Sequence, residues 1–371
     1  MNITKHTSAP FSSNEQRLSL PEWTIVLLSF LIVAYLLPRV GSALEDFDPQ
    51  PDFRLPFLLS DDYWMFRECA RHASEHFPAV IVGDSFVWGQ YVGMSETMSV
   101  EINRALKEEM VFNLGVNGLH PAAMWGMLQY YGEAIQNKGV ILHLNLLWMS
   151  SDKRDLQGEE GFPFNHPRLI PQVSPQLSCY RPEFSERLGI LVERNWKFLS
   201  WVRHVKQLYF ENLDIPNWTF LNPYANPLAA VTFTLPPVDE GPRSRPIPWT
   251  RQKMKAESFS WVPLERSFQW SSFQSLIKDL RERGNQVFVL IGPFNPYLQT
   301  EESLARFKLI RRDAEEWLAR NNVRFYSPDD LPSELYADAS HPLKEGYARI
   351  AQGLRSEEAF NHWLTEVRGM D

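Results

Sequence analysis

The sequence predicts an α/β fold, a three-layer α/β/α sandwich around a central parallel sheet, carried on one N-terminal transmembrane helix. Three observations predict it. Apolar runs of strand length alternate with helix-like segments over about 76–150 and 267–360, the pattern of βαβ units. The turn Gly83-Asp84-Ser85 follows directly on the apolar run Pro78-Ala79-Val80-Ile81-Val82, and parallel sheets present ligands at the carboxyl ends of their strands. Finally, Trp23 to Leu37 carries no charge and is apolar all round, unlike the one-sided stripe of a helix packed on a core.

Residues 1–22, rich in Ser, Thr and Asn, read as a disordered tail. Residues 23–40 form the anchor or a signal sequence. At about 1.5 Å per residue the uncharged run is slightly short of a bilayer core, and Pro38 and Arg39 end it. Gly41-Ser42-Ala43 has the small residues of a cleavage site, so an uncleaved anchor and a secreted, processed form are both open. Lys5 and Arg17 precede the run, and the reading is amino terminus inside, C-terminal domain periplasmic or extracellular. Residues 41–60, acidic and proline-bearing, read as a linker, and 61–371 as the globular domain.

Within that domain the expected order is helix 61–76, strand 79–82, helix 96–109, strand 110–114, helix 122–137 and strand 140–147. Residues 151–266 form a Pro- and aromatic-rich insertion with one amphipathic helix over 185–210. Helix 267–283, strand 286–291, helix 301–321, strand 323–326 and helix 344–354 complete the chain. An insertion of this length suits a lid or a substrate groove.

The net charge of -8 over 371 residues argues against a nucleic-acid partner, which needs a basic face. Cys69 and Cys179 lack metal-ligand spacing; an exported domain would allow them to pair, two buried free thiols fit at least as well, and the sequence does not choose. His72, His76, His120 and His166 also lack partners at metal spacing, so neither a metal site nor a cofactor is expected. Thirteen Trp and twelve Tyr fill a core or offer platforms to sugar rings and lipid.

Asp338-Ala339-Ser340-His341-Pro342 follows the last expected strand, as Gly83-Asp84-Ser85 follows the first. A serine is a poor nucleophile unless a base takes its proton and a third group fixes the base's tautomer. Ser85, His341 and Asp338 are the residue types for those three roles, and the chemistry they imply is acyl transfer. Backbone N–H groups of Ser85 and of a glycine in the next strand-end loop suit the developing oxyanion. His143 reads as a packed core histidine. Ser150-Ser151-Asp152 reads as a pocket wall or a helix cap, and Asn295 as a substrate contact or a proline-bounded turn.

These residues resemble the SGNH (GDSL-like) hydrolase superfamily. The match covers Gly83-Asp84-Ser85, then Asn113-Leu114-Gly115-Val116-Asn117-Gly118, then Asp338-Ala339-Ser340-His341-Pro342 with Gly346 downstream. The resemblance implies an oxyanion role for Gly118. With an anchor in front, the chain looks most like the membrane-anchored polysaccharide O-acetyltransferase branch, including alginate-acetylation and DltD-like proteins. That implies a glycan or acylated small-molecule substrate and a membrane acyl-donor protein as partner. The family's Gly-x-Asn-Asp block is degenerate: its Asn position falls on Leu147, with Asn145 two residues earlier as the substitute oxyanion donor. The expectation is therefore a serine esterase or O-acyltransferase, with a catalytically inactive exported binding or assembly module as the alternative.

Overall fold

The computed structural model describes residues 18–45, 47–49, 52–158, 161–234, 241–242 and 245–370; residues 1–17 of the expected tail lie outside them. The chain opens with helix α1 (Leu20–Leu44). The first half of the domain is α2 (Tyr63–His76), β1 (Ala79–Gly83), α3 (Ser85–Trp88), α4 (Met98–Leu106), β2 (Val111–Gly115), α5 (Pro121–Tyr130) and β3 (Gly139–Leu144). The insertion holds α6 (Phe184–Asn195), α7 (Lys197–Tyr209), α8 (Ile215–Leu221) and α9 (Pro227–Ala230). Then come α10 (Phe268–Glu282), β4 (Gln286–Ile291), α11 (Glu301–Arg320), β5 (Arg324–Tyr326), α12 (Lys344–Ser356) and α13 (Glu358–Arg368).

The five strands pair in parallel in the order β2-β1-β3-β4-β5. Alternate strand residues feed two separate cores, as a period of two requires. Val80, Val82, Val140, Leu142, Val289 and Ile291 join a cluster with residues of α2, α5, α10 and α11. Ala79, Ile81, Ile141, Phe288 and Leu290 join the other, with residues of α4, α12 and α13. The strand order reverses between β1 and β3, and such a switch point opens a crevice at the carboxyl ends of those strands.

Several expectations differ from the structure: the helix expected over 122–137 ends at Tyr130, that over 96–109 is confined to Met98–Leu106, and α13 follows the last expected helix. The strand expected over 140–147 stops at Leu144, because Asn145 turns to cap a short 3₁₀ helix (Leu146–Met149), its Oδ1 accepting from Leu147 N at 3.0 Å. The helix expected over 185–210 breaks into α6 and α7 at Trp196, which is extended (φ -122°, ψ 102°). The Trp196 ring packs edge-on to Phe30 at 6.0 Å, and that contact with α1 was not visible in the local pattern. Residues 41–60, read as a linker, continue α1 to Leu44 and contain the buried Phe53, Leu55 and Leu59. Cys69 and Cys179 are free thiols, both buried.

Helix α1 is long and apolar enough to cross a membrane. One stripe of it is nonetheless covered: Ala34, Pro38 and Gly41, with Glu45 at the C-cap, are buried at spacings of four, three and four. At Gly41 a Cβ would sit 2.4 Å from Trp201 Nε1 of α7, so only glycine allows this approach. Below it, the fully buried His204 of α7 bonds Glu45 Oε1 through Nε2 (2.8 Å) and Asp62 Oδ2 through Nδ1 (2.6 Å). Burial alone would lower the imidazole's pKa; the Asp62 and Glu45 carboxylates override it and push it up to about 10. His204 is therefore a cation that clamps the end of α1 to α2 and α7.

Candidate active site

Ser85 is the first residue of α3, immediately beyond β1, where Asp84 caps the turn by accepting from Phe86 N at 3.1 Å. Its Oγ lies 2.7 Å from His341 Nε2. On the other side of that ring, Nδ1 lies 2.8 Å from both Asp338 carboxylate oxygens. A carboxylate only accepts, so Nδ1 carries the proton, and Nε2 is left to accept from the serine hydroxyl. The side chains of His341 and Asp338 are 13% and 25% exposed, open enough for a substrate to arrive.

The Asp338–His341 loop is braced from several directions. Asp338 Oδ1 accepts from Ser340 N (2.9 Å) and His341 N (3.0 Å), closing an Asx turn. Tyr336 and Pro342 form an antiparallel bridge, with Ala337 N donating to His341 O at 2.8 Å. Asn295, wholly buried, donates through Nδ2 to Asp338 O (3.1 Å) and through its backbone N to Ala339 O (2.8 Å). Its Oδ1 accepts from Tyr297 N, so Asn295 holds the loop in place rather than reaching for substrate.

Electrostatics favour an ionised acid and a basic imidazole. Burial would raise the Asp338 pKa, but the adjacent His341 and the amides on Oδ1 hold it below the usual carboxylate value. Burial would lower His341; Asp338, with help from the Asp84 charge, raises it instead. Tyr91 packs edge-on to His341 at 5.5 Å, and burial with the Asp338 charge pushes its phenol up to about 12, so it stays neutral.

Asp84 carries a network that sequence reasoning missed. It is buried, and Oδ2 accepts from Asn145 Nδ2 (2.7 Å) and Trp148 Nε1 (3.0 Å). Oδ1 lies 3.1 Å from His143 Nδ1, whose Nε2 donates to Gly292 O at 2.9 Å. His143 is thus buried as expected, stacked on Phe86 at 4.4 Å; its Nε2 ties β3 to the loop after β4, and its Nδ1 lies beside the Asp84 carboxylate without hydrogen-bonding it. Burial pushes the Asp84 carboxyl up, yet His143, His341 and Asn145 outweigh it and hold it well below the usual range. Asn145 lies across the β1/β3 switch point, with one amide hydrogen committed to Asp84.

Gly118 sits in the β-turn Val116–Leu119, closed by Leu119 N donating to Val116 O at 3.2 Å. Its φ of +73°, with Asn117 outside the left-handed region, is the type II signature, and glycine serves that position without strain. Among the described residues neither Gly118 N nor Ser85 N donates to a protein group. The insertion reaches this turn. Asn165 covers Gly118, where a Cβ would meet its Nδ2 at 2.3 Å, and His166 Nε2 donates to Asn117 O at 2.9 Å. His120 Nδ1 accepts from Ala123 N and Nε2 donates to Asn165 O (3.0 Å); burial pushes this imidazole down to about 3, keeping it neutral.

Arg154, mostly buried, donates to Ser150 Oγ at 2.9 Å and feels the charges of Glu257 and Asp338. Ser150 therefore serves this arginine, and Ser151 Oγ caps the turn by accepting from Arg154 N. Among the described residues no group of three His, Cys, Asp or Glu side chains is arranged to hold a metal ion. No protein-family model matches the chain, and no curated protein matches it.

Proposed function

We propose that the chain is a serine-dependent acyl-ester hydrolase or O-acyltransferase of SGNH type, working through an acyl-enzyme on Ser85. The observation that carries this reading is the continuous hydrogen-bonded chain from Ser85 Oγ through His341 to Asp338, 2.7 and 2.8 Å long in its two links. Ser85 Oγ attacks the acyl carbon while its proton passes to His341 Nε2. Asp338 holds the imidazolium that forms. The oxyanion is met by the uncommitted N–H groups of Ser85 and Gly118 and by the second amide hydrogen of Asn145. His341 then returns the proton to the leaving alcohol. Water or a sugar hydroxyl, deprotonated by the same imidazole, releases the acyl group.

The two cores on opposite sheet faces support a three-layer α/β/α sandwich. With α1 in the bilayer, the domain stands outside the cytoplasm and acts on a surface glycan or lipid-linked ester, supplied by a membrane acyl-donor protein. The motif resemblance, not the geometry, supports these last points. One observation favours the inactive-module reading: Leu147 occupies the family's Asn position, and Asn145 is tied to Asp84. Hydrolysis of a chromogenic acetyl ester by the full chain, with and without an acetylatable polysaccharide, separates the readings. Turnover lost in Ser85→Ala supports the enzyme, and acetylated polysaccharide identifies a transferase. No turnover by the folded wild type would overturn the esterase and transferase readings alike and leave the inactive module.

A further inference from the structure

A cavity of about 400 Å³ lies where α1 leaves its uncharged run, between α1, α2, α7 and the loop after α5. Its wall carries four cations, Arg39, Arg67, Arg71 and Lys197, against two carboxylates, Glu68 and Glu133. The acids do not saturate the cations. Glu68 is taken by Arg71 (3.0 Å) and by Ser42 Oγ (3.0 Å), and Arg71 is also paired with Glu75 (3.2 Å), so the unsatisfied charge is that of Arg39, Arg67 and Lys197 against Glu133. Glu133 is shared between Lys197 (3.4 Å) and Arg67 Nε (3.6 Å), the latter beyond hydrogen-bond reach. Arg39 lies over the Tyr35 ring and donates to Tyr35 O, with no carboxylate partner among the described residues. In the same wall, Arg67 Nε and Nη1 and the indole N–H of Trp64 are buried donors without a hydrogen-bond acceptor among the described residues, while Arg67 Nη2 donates to Tyr130 O at 2.9 Å. Unpaired donors of this kind are costly, and a wall of them with surplus positive charge asks for an anion rich in acceptor oxygens.

The position says which anion. Nine residues separate Phe30 from Arg39, about 13 Å along a helix, and Phe30 packs on Trp196 and Phe198. Only the turns before Phe30 extend beyond this contact, about 15 Å of helix, which is half a bilayer core. For α1 to span, the α6–α7 junction must dip into the acyl region. An apolar stripe on α6 is consistent with that: Phe184, Leu188 and Val192, each exposed and four residues apart, lead to Trp196. Arg39 and the cavity then lie at headgroup level.

We propose that this cavity binds the phosphate group of an anionic membrane phospholipid, whose acyl chains run along the apolar surface of α1. The inference rests on α1 lying in the bilayer, which reconstitution of the full chain into phosphatidylcholine nanodiscs tests separately. Arg39 and Lys197 supply the accessible charges, and Arg67 and Trp64 set the field behind them.

The test follows the thermal midpoint of the full chain in neutral detergent during titration with short-chain phosphatidylglycerol, phosphatidylcholine or inorganic phosphate. A ligand that binds only the folded state raises the midpoint saturably. Phosphatidylglycerol should do so at concentrations where the other two do not. Arg39→Gln/Lys197→Gln should weaken its apparent Kd by about tenfold or more, and Glu133→Gln, which frees Lys197, should tighten it. The midpoints without lipid report whether each variant folds. Equal responses to phosphatidylglycerol and phosphatidylcholine, or wild-type titrations in both variants, would overturn the site. A response to inorganic phosphate as strong as to the lipid would overturn the lipid source and leave a soluble anion.

Discussion

His204, fully buried, and His341, partly buried, each meet carboxylates, and they do opposite things. His204 has a carboxylate on each ring nitrogen, Asp62 at 2.6 Å and Glu45 at 2.8 Å. His341 has Asp338 on one nitrogen and a serine hydroxyl on the other, 2.7 Å away. The first arrangement pins a proton on each nitrogen and keeps the ring a cation until the pH approaches about 10. The second leaves one nitrogen free to take a proton and return it. Residue types alone do not make a proton shuttle; the second partner decides.

The largest effect expected is at the serine. Ser85→Ala should lower turnover by about 10⁶-fold, measured as kcat on a chromogenic acetyl ester, with the thermal midpoint nearly unchanged. Next, Asp338→Asn turns the orienting acceptor into an amide that no longer fixes the tautomer, and kcat should fall by about 10⁴-fold. Both changes leave the clamp untouched. His204→Ala does the reverse: it strands two buried carboxylates and should cost about 3–5 kcal/mol in unfolding measured by denaturant, with the ester reaction of the folded fraction retained.

The pH dependences should diverge in sign. His341 must be neutral to accept the serine proton, and its pKa is raised, so kcat/KM should climb with pH through a midpoint above about 6.5. Asp338→Asn should move that midpoint down. His204 also has a raised folded value, so its stabilisation is fully present below about pH 6.5, the unfolded value, and fades as pH rises towards about 10. Unfolding free energy measured over this window should therefore decline while activity rises. The smallest effect expected is for Asn145→Ala, about 10²-fold in kcat, because one of the three proposed oxyanion donors is lost.

What was legible in the sequence were features set by local pattern. β1, β4, α10 and α11 are framed by apolar runs, caps and turn glycines, and they fall within a residue or two of the expected bounds. The juxtaposition of Ser85 with Asp338 and His341 followed from placing each at a strand end of one parallel sheet. Features that depend on distant partners were not legible. Asp84 reads as a turn residue until Asn145 and Trp148, more than sixty positions away, are seen to donate to it. Trp196, where α6 and α7 part, packs on the distant Phe30, and Gly118 is covered by Asn165 in the insertion. Glu45 looks like one acid in an acidic stretch until His204 is found against it, 159 residues later.

The proposed chemistry stands or falls with the activation of Ser85 by the His341–Asp338 pair. The most direct measurement is intact and peptide mass analysis of the full chain after exposure to a fluorophosphonate, with His341→Ala alongside. One phosphonyl adduct, located on Ser85 and lost in His341→Ala, is the predicted result. A folded wild-type protein that takes no adduct, or takes it equally in His341→Ala, would contradict the account.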